Sequence, residues 1–314
     1  METKKIEETF EQVSKTLGWA TDKQVSLAVT MIYLSRGRAF DAAIHTEASR
    51  IVKSSESFAS PLRAHLHHIA VAYLVLGDEP VVEGLARLNV HQQALTAEKF
   101  WKSGYTYLGG LIMEAPEEAA RARELYDAMK AHHPFLTSSE DIPYVVLLGR
   151  REGDLKERAE TMNRYYSELR PQGFSPGNHL QWLSQAMTFD SPQFQPEVAG
   201  RVLAIRDFFK AENIKIRSAH YPVLGFLAIA KADGAALKSI AELMRTLESS
   251  KLFRWYKQWA LPSAAQLVMA ESAELRGSKA AMFASSVEML MQAQQAAMMV
   301  SVSAAVAASN NSGT

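Results

Sequence analysis

Apolar and polar positions along this chain fall into two alternating kinds of segment. Short runs are apolar on every side, at 25–34, 66–76, 105–113, 142–148 and 223–230. Between them lie longer amphipathic stretches such as 117–130, with polar and charged residues on one face and Glu117 four residues before Arg121. The second kind is a helix with one buried side; the first is a helix buried all round. The two kinds therefore predict an inner layer of apolar helices covered by an outer layer of amphipathic ones.

The alternation is periodic. A large aromatic or aliphatic residue closes a segment at Trp19, Phe58, Phe100, Phe135, Phe174, Ile216 and Phe253, at intervals of 39, 42, 35, 39, 42 and 37 residues. Such spacing suits a helix, a turn and a second helix per unit. Pro80, Pro116 and Pro196 mark starts of outer helices, because a first-turn residue needs no intrahelical N–H partner. Turn residues recur at the anchors, as in Phe58-Ala-Ser-Pro61 and Phe174-Ser-Pro-Gly-Asn178, where serine and asparagine can cap the next inner helix. No strand-like alternation survives, so the class is all-α: about seven helical hairpins in one domain over 1–314, stacked as an open α-solenoid or curled into a closed α/α toroid. Equal spacing leaves both arrangements open.

The segments His133-Pro-Phe-Leu-Thr137 with Glu140 and Asp141, then Phe174-Ser-Pro-Gly-Asn-His-Leu-Gln-Trp-Leu-Ser184, resemble the bacterial family catalogued as domain of unknown function 4003. The uncharged C-terminal stretch resembles that family's C-terminus as well, so the likeness covers nearly the whole chain. It implies a bacterial, intracellular protein. It transfers no catalytic residue.

Composition narrows the functions. Lysine plus arginine balance aspartate plus glutamate at 34 each, without a concentrated basic stripe, which argues against nucleic acid as a partner. There is no cysteine, so thiolate metal ligands and thiol nucleophiles are excluded. The charged N-terminal ten residues do not read as a secretory signal, which makes a cytoplasmic location the expectation. Residues 278–308, rich in Ala, Met and Gln, read as a C-terminal helix that closes the array or mediates self-association, with 309–314 a frayed tail. Gln292, Gln294, Gln295, Ser301 and Ser303 interrupt that stretch too often for a membrane span.

Placing the eighth residue after each anchor against the outer layer turns positions three, seven and ten toward the centre. That face collects Asp22, Ser26, His65, His68, Ser103, Tyr107, Ser138, Gln181, Ser184 and Ser263, small and polar where a packed layer would be large and apolar. Glu140, Asp141, Asn178 and His179 lie at the same rim. A cavity of this character suits a small polar ligand, a peptide or a protein segment. His65 and His68, three apart on one helix, could approach one metal ion or one anion; a third ligand would have to come from Asp141 or Asp22, and no metal is assigned on two histidines. Glu140 and Asp141 are accounted for by a helix start, and Asn178 by capping. The reading is a binding or scaffold protein with unidentified cofactors. The alternative is an enzyme using His65, His68 or Asp141 as acid, base or metal ligand.

Overall fold

A computed structural model describes residues 2–64 and 66–276, and every regular element among the described residues is helical. Seven long helices, α1 (Glu2–Leu17), α3 (Ala42–Ser55), α5 (Val81–Ala97), α7 (Glu118–His132), α9 (Leu155–Leu169), α11 (Pro196–Ala211) and α13 (Gly234–Ser249), alternate with α2 (Lys23–Ser35), α4 (His67–Val75), α6 (Gly104–Ile112), α8 (Ile142–Gly149), α10 (Asn178–Ala186), α12 (Tyr221–Ile229) and α14 (Ala260–Arg276). None is long and apolar enough to cross a membrane.

The two kinds of segment have the burial their patterns require. Every residue of α8 and of α12 is buried. By contrast α9 buries one side only, Leu155, Arg158, Ala159, Thr161, Met162, Tyr165, Tyr166 and Leu169, and turns the other toward water. Aspartates start the elements: Asp22 accepts from Gln24 N, Asp41 from Ala43 N and Ile44 N, Asp154 from Glu157 N, and Asp233 from Ala236 N. Each such cap contributes on the order of 1 kcal/mol. Pro196 opens α11 at its first residue, whereas Pro80 sits one position before α5.

The pairing of helices departs from the sequence-based units. Each amphipathic helix packs tightly on the apolar helix that follows it, α1 on α2 through α13 on α14, so the anchors lie inside the hairpin turns and not between hairpins. The N-terminal helix α1 supplies the first outer member, and the described residues already contain seven complete pairs. The expected C-terminal helix 278–308 and tail 309–314 lie outside the described residues.

Along the apolar layer, α2 packs on α4, α4 on α6, α6 on α8, α8 on α10, α10 on α12 and α12 on α14. The last then lies against the first: α14 packs on α2, and Gln266 Nε2 donates to Ser35 Oγ at 3.1 Å. Two glycines inside apolar helices permit close approaches. A Cβ on Gly109 would stand 3.1 Å from both Ile142 and Leu95, and one on Gly225 would stand 2.8 Å from Leu183. The pair Gly109-Gly110 thus serves helix packing, as its place in an apolar run predicts.

Candidate binding site

The helical phase assumed for the apolar layer is off by about one residue, and several candidate residues consequently face outward. Tyr107 points to the outer layer among Val52, Leu85 and Leu88, with its hydroxyl 3.3 Å from Ser60 Oγ and 3.3 Å from Glu56 Oε2. Gln181 and Ser184 line a water-sized void with Met129 of α7 and Met162 and Tyr166 of α9, and Ser184 Oγ returns its proton to Leu180 O. Trp182, expected against the outer layer, lies parallel to Tyr144 of the neighbouring apolar helix, ring centroids 6.4 Å apart. Ser103 precedes α6, where its N–H donates to Thr106 Oγ1 at 3.1 Å.

The acidic pair is built into a turn. Ser138 caps the short 3-10 turn Ser139–Asp141 that leads into α8, and Asp141 Oδ2 accepts the Ser138 N–H at 2.8 Å. Its other oxygen accepts from Gln185 Nε2 at 2.7 Å and Gln181 Nε2 at 3.2 Å. Burial pushes the Asp141 carboxyl up to about 6, against the opposing pull of these three donors. Glu140 Oε2 accepts from Asn178 Nδ2 at 3.2 Å, and burial raises its pKa as well. This rim therefore joins α8 to α10 through its own side chains.

His65 lies outside the described residues. His68 finds a partner the sequence did not suggest, His45 of outer helix α3: His45 Nε2 lies 3.2 Å from His68 Nδ1, and Tyr33 Oη 3.4 Å from His45 Nδ1. His67 turns to Ser49 Oγ at 2.7 Å and to the Leu62 carbonyl. Burial holds all three imidazoles neutral, lowering His45 and His67 to about 4 and His68 to about 3. Among the described residues no group of three or more histidines or carboxylates is placed to hold a metal ion.

A different set of side chains is left without partners. The hydroxyls of Tyr105 and Tyr144, the His179 Nε2 and the Trp259 Nε1 are buried and make no hydrogen bond within the protein. All four occupy the start of an apolar helix: Tyr105 and Tyr144 in the first turns of α6 and α8, His179 in that of α10, and Trp259 just before α14. They are linked through their neighbours. His179 meets the Trp182 ring edge-on at 5.3 Å, and Trp182 stacks on Tyr144. Glu140 acts on Tyr105, and His179 on His220, which the Gln258 backbone also influences one residue before Trp259.

An unpartnered buried polar atom costs roughly 1–3 kcal/mol, so four at one end of the layer are expensive unless something else meets them. As chemistry they are mainly donors. Burial keeps both phenols protonated by raising their pKa values, and an indole N–H cannot accept. Helix N-termini add partial positive charge at the same end. Tyr105 and Tyr144 lie in apolar runs that the sequence pattern assigns to the inner layer; the available signal was an aromatic with a polar atom recurring at the start of several apolar helices.

A family model described as "Protein of unknown function (DUF4003)" matches residues 9–296. The chain belongs to that family. As a DUF4003 protein it is similar to the "Uncharacterized protein YeaA" of Bacillus subtilis (strain 168), at 26% identity over 325 residues, covering 98% of this chain and 96% of that protein. No solved structure matches the chain. The likeness to YeaA runs through the rim as well as the helical layers, since it spans nearly the full length of both chains.

Proposed function

We propose that this DUF4003 protein binds a small polar ligand at the end of its apolar layer where the inner helices begin. The observation that carries the reading is the set of four buried, unpartnered polar atoms on Tyr105, Tyr144, His179 and Trp259. The packing of α14 on α2 supports a further element of it, that the hairpins curl into an α/α toroid whose mouth is this rim. A ligand rich in hydrogen-bond acceptors, with a flat face to lie on the Tyr144 and Trp182 rings, would satisfy the donors and use the stacked aromatics.

Binding is favoured over catalysis because the acid–base candidates are engaged: Asp141 with Ser138, Gln181 and Gln185, and His68 with His45. The protein is proposed to act in the cytoplasm. Native mass spectrometry of the protein purified from its host tests the reading. The expected result is a low-mass adduct released on denaturation and depleted at least tenfold in the Tyr144→Phe/Trp259→Phe variant. Adduct-free protein whose melting temperature does not respond to a metabolite library would refute it.

A further inference from the structure

The turns that enter the first four apolar helices each hold a large aromatic side chain almost wholly in water. Trp19 is 99% exposed, Phe58 91%, Trp101 85% and Phe135 98%. A single exposed aromatic is ordinary; four at the corresponding place in four consecutive hairpins form a pattern. By chain continuity all four lie at the end of the molecule where the apolar helices begin, in the turns after α1, α3, α5 and α7. From these positions we infer that this rim docks on an anionic membrane surface, the four aromatics entering the headgroup layer together.

The form of the surface argues for a bilayer. Adjacent helices pack about 8–10 Å apart, so four tips in successive hairpins span roughly 25–30 Å. They are separate projections on separate turns of successive hairpins. A soft, flat surface accepts all four at once, and tryptophan in particular partitions to the membrane interface.

The charges around the tips point the same way. Lys23, Arg63, Lys99, Lys102 and Lys130 each lie within five residues of a tip, and four of them are exposed lysines. Of the carboxylates in these turns, Glu56 is half-buried and held by Asn89 and Ser60, and Glu140 is half-buried and held by Asn178. Asp22 and Glu98 stand against the five cations. Cations beside interfacial aromatics are drawn to anionic headgroups, in a manner that salt weakens. The proposal stands whether or not the buried rim binds a ligand.

Flotation of the full-length protein with phosphatidylcholine vesicles, with and without added phosphatidylglycerol, tests the inference. Binding is expected with phosphatidylglycerol, weakened by salt, with a blue shift of tryptophan emission and quenching by brominated acyl chains. The shift should come from Trp19 and Trp101 and disappear in Trp19→Phe/Trp101→Phe, which should still bind. The Trp19→Ser/Phe58→Ser/Trp101→Ser/Phe135→Ser variant should melt as the parent does and bind at least tenfold more weakly. Lys23→Gln/Lys99→Gln/Lys102→Gln should lose the preference for anionic vesicles. Absence of phosphatidylglycerol-dependent binding at low salt overturns the proposal. So does undiminished binding by the four-serine variant, which would assign membrane contact to another segment. If that variant instead converts a dimer to a monomer with vesicle binding unchanged, the rim belongs to a second copy of the chain.

Discussion

The turns leading into α2, α4 and α8 and those leading into α10 and α14 carry the same kind of residue at the same interval, yet treat it in opposite ways. Phe135 stands free in water, whereas Phe174 is 3% exposed, packed edge-on against Tyr221 with Arg206 over its face, and Phe253 is 0% exposed. Tyr221 also secures the turn by accepting the Ser175 N–H at 3.0 Å. In the later hairpins the aromatic is a staple between units. In the turn into α6 the anchor Phe100 is likewise a staple, packed on Tyr126 beneath Arg123, while its neighbour Trp101 projects outward. A repeat thus conserves where the chain turns without conserving which side the anchor faces.

Truncating the anchors tests this contrast most directly. Phe253→Ala should cost about 3–5 kcal/mol in urea unfolding, the range for deleting a buried phenylalanine. Phe135→Ala should stay within about 0.5 kcal/mol of the parent. Equal losses would show that exposure does not separate the two groups. The tightness of the later hairpins can be probed by Gly225→Ala, whose new Cβ would meet Leu183 and Ala186; a loss of roughly 1–3 kcal/mol is expected, with no change in helix content by circular dichroism.

Acid should act first on the early half. The unfolded chain binds protons on His45, His67 and His68 below about pH 6.5, while the folded protein holds them off until pH 4 or lower. Stability from this cluster is therefore complete above pH 6.5 and lost as pH falls toward 4. Asp141 works in the opposite sense: with its folded value raised to about 6, it favours the folded state in acid and loses that contribution as pH rises through 6. Three imidazoles against one carboxyl leave a net loss in acid. Hydrogen exchange at about pH 4.5 should open α3 and α4 before α13 and α14. A small effect of the opposite sign is expected from Tyr144→Phe, which removes an unpartnered buried hydroxyl and should stabilise ligand-free protein by about 1 kcal/mol while weakening ligand retention. Destabilisation would mean that the hydroxyl has a partner.

Much of the fold was legible because it rests on local pattern. The apolar run 142–148 became α8 and the run 105–113 became α6, each within a residue or two of its predicted limits. What the sequence could not supply was relative rotation. An α-helix turns about 100° per residue, so one wrongly chosen reference position moved Tyr107, Gln181 and Ser184 from the expected central face to the outer layer. Long-range partners were equally hidden: nothing near His68 in sequence points to His45, 23 residues earlier on another helix. The rim was half visible. Glu140 and Asn178, expected at one rim, hydrogen-bond each other, but the lack of partners around Tyr105 and Tyr144 is a property of packing, which no residue type announces.

The seam between α2 and α14 also sets an order of events. Ser35 and Gln266 are 231 positions apart, which at about 5–20 residues per second of synthesis is roughly ten to fifty seconds. For that interval α2 has emerged and paired with α1 and α4, but the flank that will meet α14 has no cover. The nascent protein is a growing strip with one bare apolar edge at its beginning and another at its advancing end. Its last apolar helix covers that flank of α2, so a chain cut short before α14 leaves the flank bare.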